Sequence, residues 1–226
     1  HGGCMRLLTS KDSGIKSVRD LGGQNVAVTD QASPLRNFFA IQLAKLGIDP
    51  DTQVNWVQYP ADLFGEALRK GEVQALAADD PQGWLIKKHD GLIEVDNNLN
   101  GEYHNLACCV LGLRGSLVRE QPEVARAITQ AIIDAQQWTA DDRAETAKIF
   151  GPFVAGNVSP DDIAAMLREH THNHHSTGEQ LRKEVVTYLN ELKTIKVIRE
   201  DTDAQRFAAH YVPDVLPAAP AHQHSA

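Results

Sequence analysis

Apolar positions in the first hundred residues switch repeatedly between a period of two and a period near three and a half. Residues 25–29 (NVAVT) form a β-branched run, set up by Leu21-Gly22-Gly23 and followed by Asp30, Gln31, Ala32, Ser33 and Pro34. Ser33 followed by Pro34 reads as an N-cap with Pro at the first helical position, and Leu35, Phe38, Phe39, Leu43 and Leu46 carry a helical stripe to Gly47. The same grammar predicts a strand at 54–57, a helix at 61–70 ended by Gly71, and a strand at 73–78. A short helix at 84–88 and a strand at 92–95 follow. Such alternation predicts an α/β fold, a sheet covered by helices.

Two further apolar runs stand apart from this series. Residues 5–10 read as a strand already under way, and residues 106–113 (LACCVLGL) as a buried strand. Beyond them the pattern is almost wholly helical. Gln121-Pro122-Glu123 opens a long amphipathic helix through Ile128, Ile132, Ile133 and Trp138, and shorter helices are predicted at 142–150, 159–169 and 178–193. Residues 217–226 are small, polar and Pro-rich, the composition of a disordered tail.

This asymmetry predicts a two-lobed molecule. Residues 20–104 make a complete α/β lobe, while 1–19 and 105–216 supply two strands and many helices without a sheet of their own. The expectation is that an N-terminal α/β segment, on the order of 80 residues by the size of the existing lobe, completes the second lobe in a longer protein.

Composition narrows the function. The chain is 42% hydrophobic and 23% charged, as in ordinary globular proteins, and no run approaches the length of a membrane span. A net charge of −8 with scattered Lys and Arg gives no footprint for nucleic acid. No nucleophile elbow, phosphate-binding Gly-rich loop or Cys-x-x-Cys occurs, so the expectation is a protein that is not an enzyme and has no cofactor. A Cys109–His104 nucleophilic pair is disfavoured, because a Cys within an apolar strand is shielded.

Candidate binding residues cluster at predicted strand ends. After the 25–29 strand, Asp30, Gln31, Ser33 and Arg36 surround a helix N-terminus whose N–H groups and dipole favour an anion, although Ser33 as a plain cap and Arg36 as a surface residue are equally good readings. Asp79 and Asp80, with Trp84, follow the 73–78 strand; paired carboxylates repel an anion and suit a ligand hydroxyl or amine, unless Asp80 caps the next helix and Trp84 is core. Gly3 lets backbone approach a ligand closely. Cys4, Cys108 and Cys109 permit a single disulfide, a soft-metal site or inert buried thiols. Finally, His170, His172, His174 and His175 place four imidazoles within six residues, enough for a transition metal, with a polar loop as the plainer reading.

Several phrases together resemble the periplasmic solute-binding proteins of bacterial ABC importers, in the nitrate, sulfonate and taurine-binding family. They are residues 11–23 (KDSGIKSVRDLGG), the strand at 26–28, residues 43–50 (LAKLGIDP), 68–75 (LRKGEVQA) and 119–127 (REQPEVARA). The resemblance implies a two-lobed clamp joined by two crossover strands, here 4–10 and 106–113 running side by side, which brings Cys4 near Cys108 or Cys109. It also implies a small anion of the sulfonate, nitrate or taurine class in the interlobe cleft, an ABC permease as partner, and a periplasmic or lipid-anchored location. The alternative ligand is a metal ion, a metal chelate or a small heteroaromatic solute resembling a thiamine precursor.

Overall fold

A computed structural model of the chain describes residues 2–154, 156, 158–170 and 176–216. Among them, strands β1 (Met5–Thr9), β2 (Asn25–Val28), β3 (Asn55–Gln58), β4 (Ala75–Asp79) and β5 (Ile93–Asn97) form one sheet in the order β3-β2-β4-β1-β5. β2 runs parallel to β3 and β4, whereas β1 runs antiparallel to both β4 and β5. The period-two pattern sorts side chains onto two faces. Leu7, Val26, Val28, Ala75 and Ala77 bury against α1 (Pro34–Lys45), through Phe38, Phe39 and Leu43. Leu8, Ala27, Leu76 and Ala78 bury against Phe64 and Ala67 of α2 (Phe64–Arg69) and Ile86 of α3 (Gln82–His89).

The ends of α1 follow its sequence signals. The Ser33 hydroxyl accepts from the Arg36 N–H at 3.2 Å and Pro34 is the first helical residue. Gly47, at φ +76°, takes the left-handed turn that lets the Gly47 N–H return to the Ala44 carbonyl and the Ile48 N–H to that of Leu43.

After a 3-10 turn at Gly101–Asn105 the chain is helical: α4 (Gly115–Glu120), α5 (Pro122–Asp141), α6 (Arg143–Phe150), α7 (Pro160–Glu169), α8 (Gly178–Thr194) and α9 (Ala204–Tyr211). Neither α4 nor α9 is predicted from the pattern of the chain. α6 and α7 pack on Trp84 and Leu85 of α3 through Ala147, Ile163, Met166 and Leu167. α8 lies on the opposite side, with Tyr188 and Leu192 against the α1 cluster, and α9 packs along α8. α5 is different: of its twenty residues only Ala125 is buried, and Val124, Ile128, Ile132 and Trp138 stand 37–50% exposed.

Residues 106–113 are not the buried strand that their composition predicts. They carry no strand assignment, and Cys109, Val110 and Leu111 are exposed. Both edges of β1 are already paired, by β4 and β5, so the sheet has no ladder position beside β1 for this segment. The Ala107 N–H instead donates to the Glu184 carboxylate of α8 at 2.9 Å. Residues 217–226 lie outside the described residues.

Candidate functional site

The carboxyl ends of β2, β3 and β4 open at one edge of the sheet, and the antiparallel pairing of β1 brings its first residues there too, with Met5 opposite Asp79 and Arg6 opposite Asn97. Gly3, Cys4, Asp30, Gln31, Ser33, Asp79 and Asp80 therefore share this edge, where open α/β sheets bind ligands. Gly3 is placed tightly. Its N–H donates to the buried Asn98 side chain at 2.9 Å, its φ is +97°, and a Cβ would meet Leu99 Cδ1 at 3.0 Å and the Glu169 carbonyl at 3.3 Å.

Most of the polar groups around α1 are engaged within the fold. Asp30 accepts from the Ala32 N–H, Gln31 donates to the Trp56 carbonyl at 2.8 Å, and Arg36 pairs with Asp51 while lying over the Trp56 ring. Pro34 has no N–H and Ser33 takes that of Arg36, so the Leu35 N–H and the helix dipole are what the start of α1 offers to an anion.

The two carboxylates after β4 separate completely. Asp79 is exposed, and desolvation at the sheet edge, with the Asp80 charge adding to it, holds its carboxyl above the ordinary value. The Asp80 side chain is 1% exposed and faces inward. It receives Arg6 Nε and Nη2, each at 2.8 Å, and lies 2.6 Å from His170 Nε2, while the Trp84 N–H donates to it at 2.9 Å. Burial alone would raise the Asp80 pKa; hydrogen bonds from His170 and Arg6 outweigh it and hold the carboxyl below its usual range. Asp80 stands one residue before Pro81, the N-cap of α3, and besides the Trp84 N–H its carboxylate is taken up by Arg6 and His170.

Arg6 is the residue that sequence reasoning passed over. Only 2% exposed, it pairs through Nη1 with Glu94 at 2.5 Å and Glu169 at 2.9 Å besides Asp80, so one guanidinium ties β1, β4 and β5 to α7. Lys87 bridges the same Glu94 and Glu169. A cation within the apolar run Met5-Arg6-Leu7-Leu8 was the available signal, since a buried guanidinium demands carboxylate partners. Trp84 belongs to this neighbourhood as core: it is buried, packs on α7 and donates its Nε1 hydrogen to Glu169 at 3.0 Å. Its stacking on a ligand is not what the fold provides.

The sulfur atoms of Cys4 and Cys108 lie 3.2 Å apart, although residues 106–113 do not run beside β1 as a strand. Cys108 is half-buried and Cys109 exposed. His104 Nδ1 lies 3.2 Å from the Leu99 carbonyl, so that ring nitrogen is engaged with backbone and not with Cys109. Of the histidine cluster, His170 is buried against Asp80, and His172, His174 and His175 lie outside the described residues. Among the described residues no group of three His, Cys, Asp or Glu is arranged to hold a metal ion.

With this geometry the chain can be set beside known proteins. It is 32% identical over 108 residues to the bicarbonate-binding protein CmpA of Synechococcus elongatus, a stretch covering 46% of this chain and 23% of CmpA. Its fold is that of the periplasmic aliphatic sulphonate-binding protein SsuA of Escherichia coli, with a TM-score of 0.72 at 16% identity over 90% of this chain and 64% of SsuA. The same fold occurs in the desulfurization enzyme DSZB, with a TM-score of 0.58 at 16% identity over 92% of this chain and 74% of DSZB. The chain thus spans less than two thirds of the length of SsuA and under a quarter of CmpA. Residues 8–151 match the sequence model of the NMT1-like family. A match over that length, on a sheet and helices in the periplasmic-binding-protein arrangement, places the chain in the NMT1-like family.

Proposed function

We propose that this chain is part of the solute-binding component of a bacterial ABC uptake system, binding a small anion of the sulfonate, nitrate or bicarbonate class without transforming it. The observation that carries the reading is the convergence at one sheet edge of the α1 N-terminus, the Gly3–Cys4 backbone and the exposed Asp79, in a fold shared with a sulphonate-binding protein. The lobe is the five-stranded sheet with its helices, and β1 belongs to it as an inner strand, so residues 1–19 are not the separate hinge that their pattern predicts. Residues 105–216 supply the return passage and part of the opposing lobe, and the solute sits between the lobes. The partner is a membrane permease, and the location is the periplasm or the outer face of the cytoplasmic membrane. No helix among the described residues is long and apolar enough to cross a membrane.

Asp79 refines the ligand class. An exposed carboxylate beside an anion site repels a plain anion and attracts a ligand ammonium, so an aminosulfonate such as taurine satisfies both groups at once. The test is thermal-shift titration with taurine, ethanesulfonate, nitrate and bicarbonate in parallel. At a ligand concentration a hundredfold above Kd, stabilisation of about 2.7 kcal/mol raises the melting temperature by roughly 5–10 °C. The Asp79→Asn variant binds ethanesulfonate more tightly than the wild type does. In the wild type, lowering the pH through the raised Asp79 pKa has the same effect, because protonation removes the like charge. Absence of a shift with every one of these anions refutes the reading.

A further inference from the structure

We propose that Cys4 and Cys108 are a redox pair, closing to a disulfide that locks the start of β1 to the passage through residues 106–113. The inference does not rest on the identity of the solute.

Three observations support it. The two sulfur atoms, 104 residues apart in sequence, lie 3.2 Å from one another and need about one ångström of approach to reach the bonded length of about 2.05 Å. Each cysteine is held in place by backbone contacts that are independent of the other. The Cys4 carbonyl accepts from the Asp80 N–H at 2.9 Å, and the flanking Gly3 and Met5 N–H groups both donate to Asn98 Oδ1. On the other side, the Ala107 N–H is fixed to Glu184 Oε2, whose carboxylate is buried and receives Ser176 and Gln180 on its second oxygen. The meeting of the sulfurs is thus imposed by two separately anchored segments. Residues 106–113 make no strand, so a covalent bond here is the direct tie between that passage and β1.

Cys109 is a third member of the cluster. Hydrogen bonds from Cys108 and Cys4 favour its thiolate and pull its pKa down, whereas in Cys4 the same bonds, with burial added, disfavour ionisation. Cys109, exposed and the favoured thiolate, is the one that reacts first with an external disulfide; once the bond has passed to Cys4 and Cys108 it is again a free thiol, which makes it an internal marker.

The chemistry needs an external disulfide, such as oxidised glutathione or an oxidised thiol–disulfide exchange protein. The Cys109 thiolate attacks its S–S bond, forming a mixed disulfide and releasing one thiol; Cys4 displaces the second thiol to give a transient Cys4–Cys109 bond, and Cys108 attacks the Cys4 sulfur, closing the pair and freeing Cys109. Two protons and two electrons leave the pair, and the external disulfide is reduced to two thiols.

The test uses the chain as it stands, treated with oxidised glutathione or with dithiothreitol, alkylated, digested with trypsin and read by mass spectrometry. Oxidised protein yields residues 1–6 cross-linked to residues 89–114, with fragmentation placing the bridge at Cys108 and the alkyl group on Cys109. Dithiothreitol-treated protein yields three alkylated cysteines. The oxidised form melts several degrees higher than the reduced form, since the bond closes a long loop, and a Cys4→Ser variant shows no difference between the two treatments. The proposal is overturned if all three cysteines stay alkylated after oxidation. A bridge located at Cys109, or equal melting of the two wild-type forms, overturns it as well.

Discussion

Arg6 holds a full charge inside the sheet, and three carboxylates answer it, from the turn after β4, from β5 and from α7. Removing one partner of a buried pair leaves the rest unpaired and typically costs about 3–5 kcal/mol, whereas replacing both with apolar groups is often close to neutral. Arg6→Met is therefore expected to lower the unfolding free energy from urea titration by an amount in that range, and Arg6→Met with Asp80→Leu to recover part of the loss; an unchanged unfolding free energy in the single variant contradicts this. The pH dependence follows from the depressed Asp80 pKa. Its contribution is complete above the unfolded carboxylate value of about 3.9 and disappears as pH falls through the lower folded value. An Asp80→Asn variant accordingly shows a shallower loss of stability below pH 4 than the wild type.

At the scale of elements, the helices begin where side-chain oxygens replace missing backbone partners. Ser159 accepts from the Asp162 N–H and Asp203 from the Arg206 N–H, as Ser33 does from that of Arg36. Ser159→Ala is expected to cost about 1 kcal/mol of stability. It also loosens α7, which carries Glu169, so the near-ultraviolet signal of Trp84 changes with it. A Ser159→Asp variant keeps the cap and both readings; equal loss in the Ala and Asp variants argues against capping. The 106–113 segment teaches the opposite lesson. Its apolar run has every local mark of a strand, yet an apolar run becomes a strand only where an edge is open to it, and β4 and β5 have filled both sides of β1.

Over the whole molecule the sheet is covered on both faces, but the long helix α5 is not packed into that core. Residues 107–113, α4, α5, the start of α8 and residues 210–216 enclose an apolar trough of about 1160 Å³, lined by Val110, Leu111, Val118, Ile132, Leu181 and Val185 among others. Its walls stay accessible in the folded chain and are mostly apolar. The folded chain is expected to bind anilinonaphthalenesulfonate without denaturant, and Ile132→Glu to reduce that fluorescence while leaving the melting temperature within about a degree, since Ile132 is half exposed. Dye binding that appears only on unfolding rules this out.

The sequence by itself determined the succession of strand and helix in the first hundred residues, the two faces of the sheet and the helix caps, because each depends on side chains a few positions apart. Its resemblance to a known family brought Cys4 beside Cys108. Only the tertiary structure decided that Asp80 turns inward to Arg6 while its neighbour Asp79 stays at the edge, that Trp84 is core, and that residues 106–113 lie outside the sheet. Those outcomes are settled by competition among distant segments for the same strand edge or the same buried charge, and no local pattern records which of them wins.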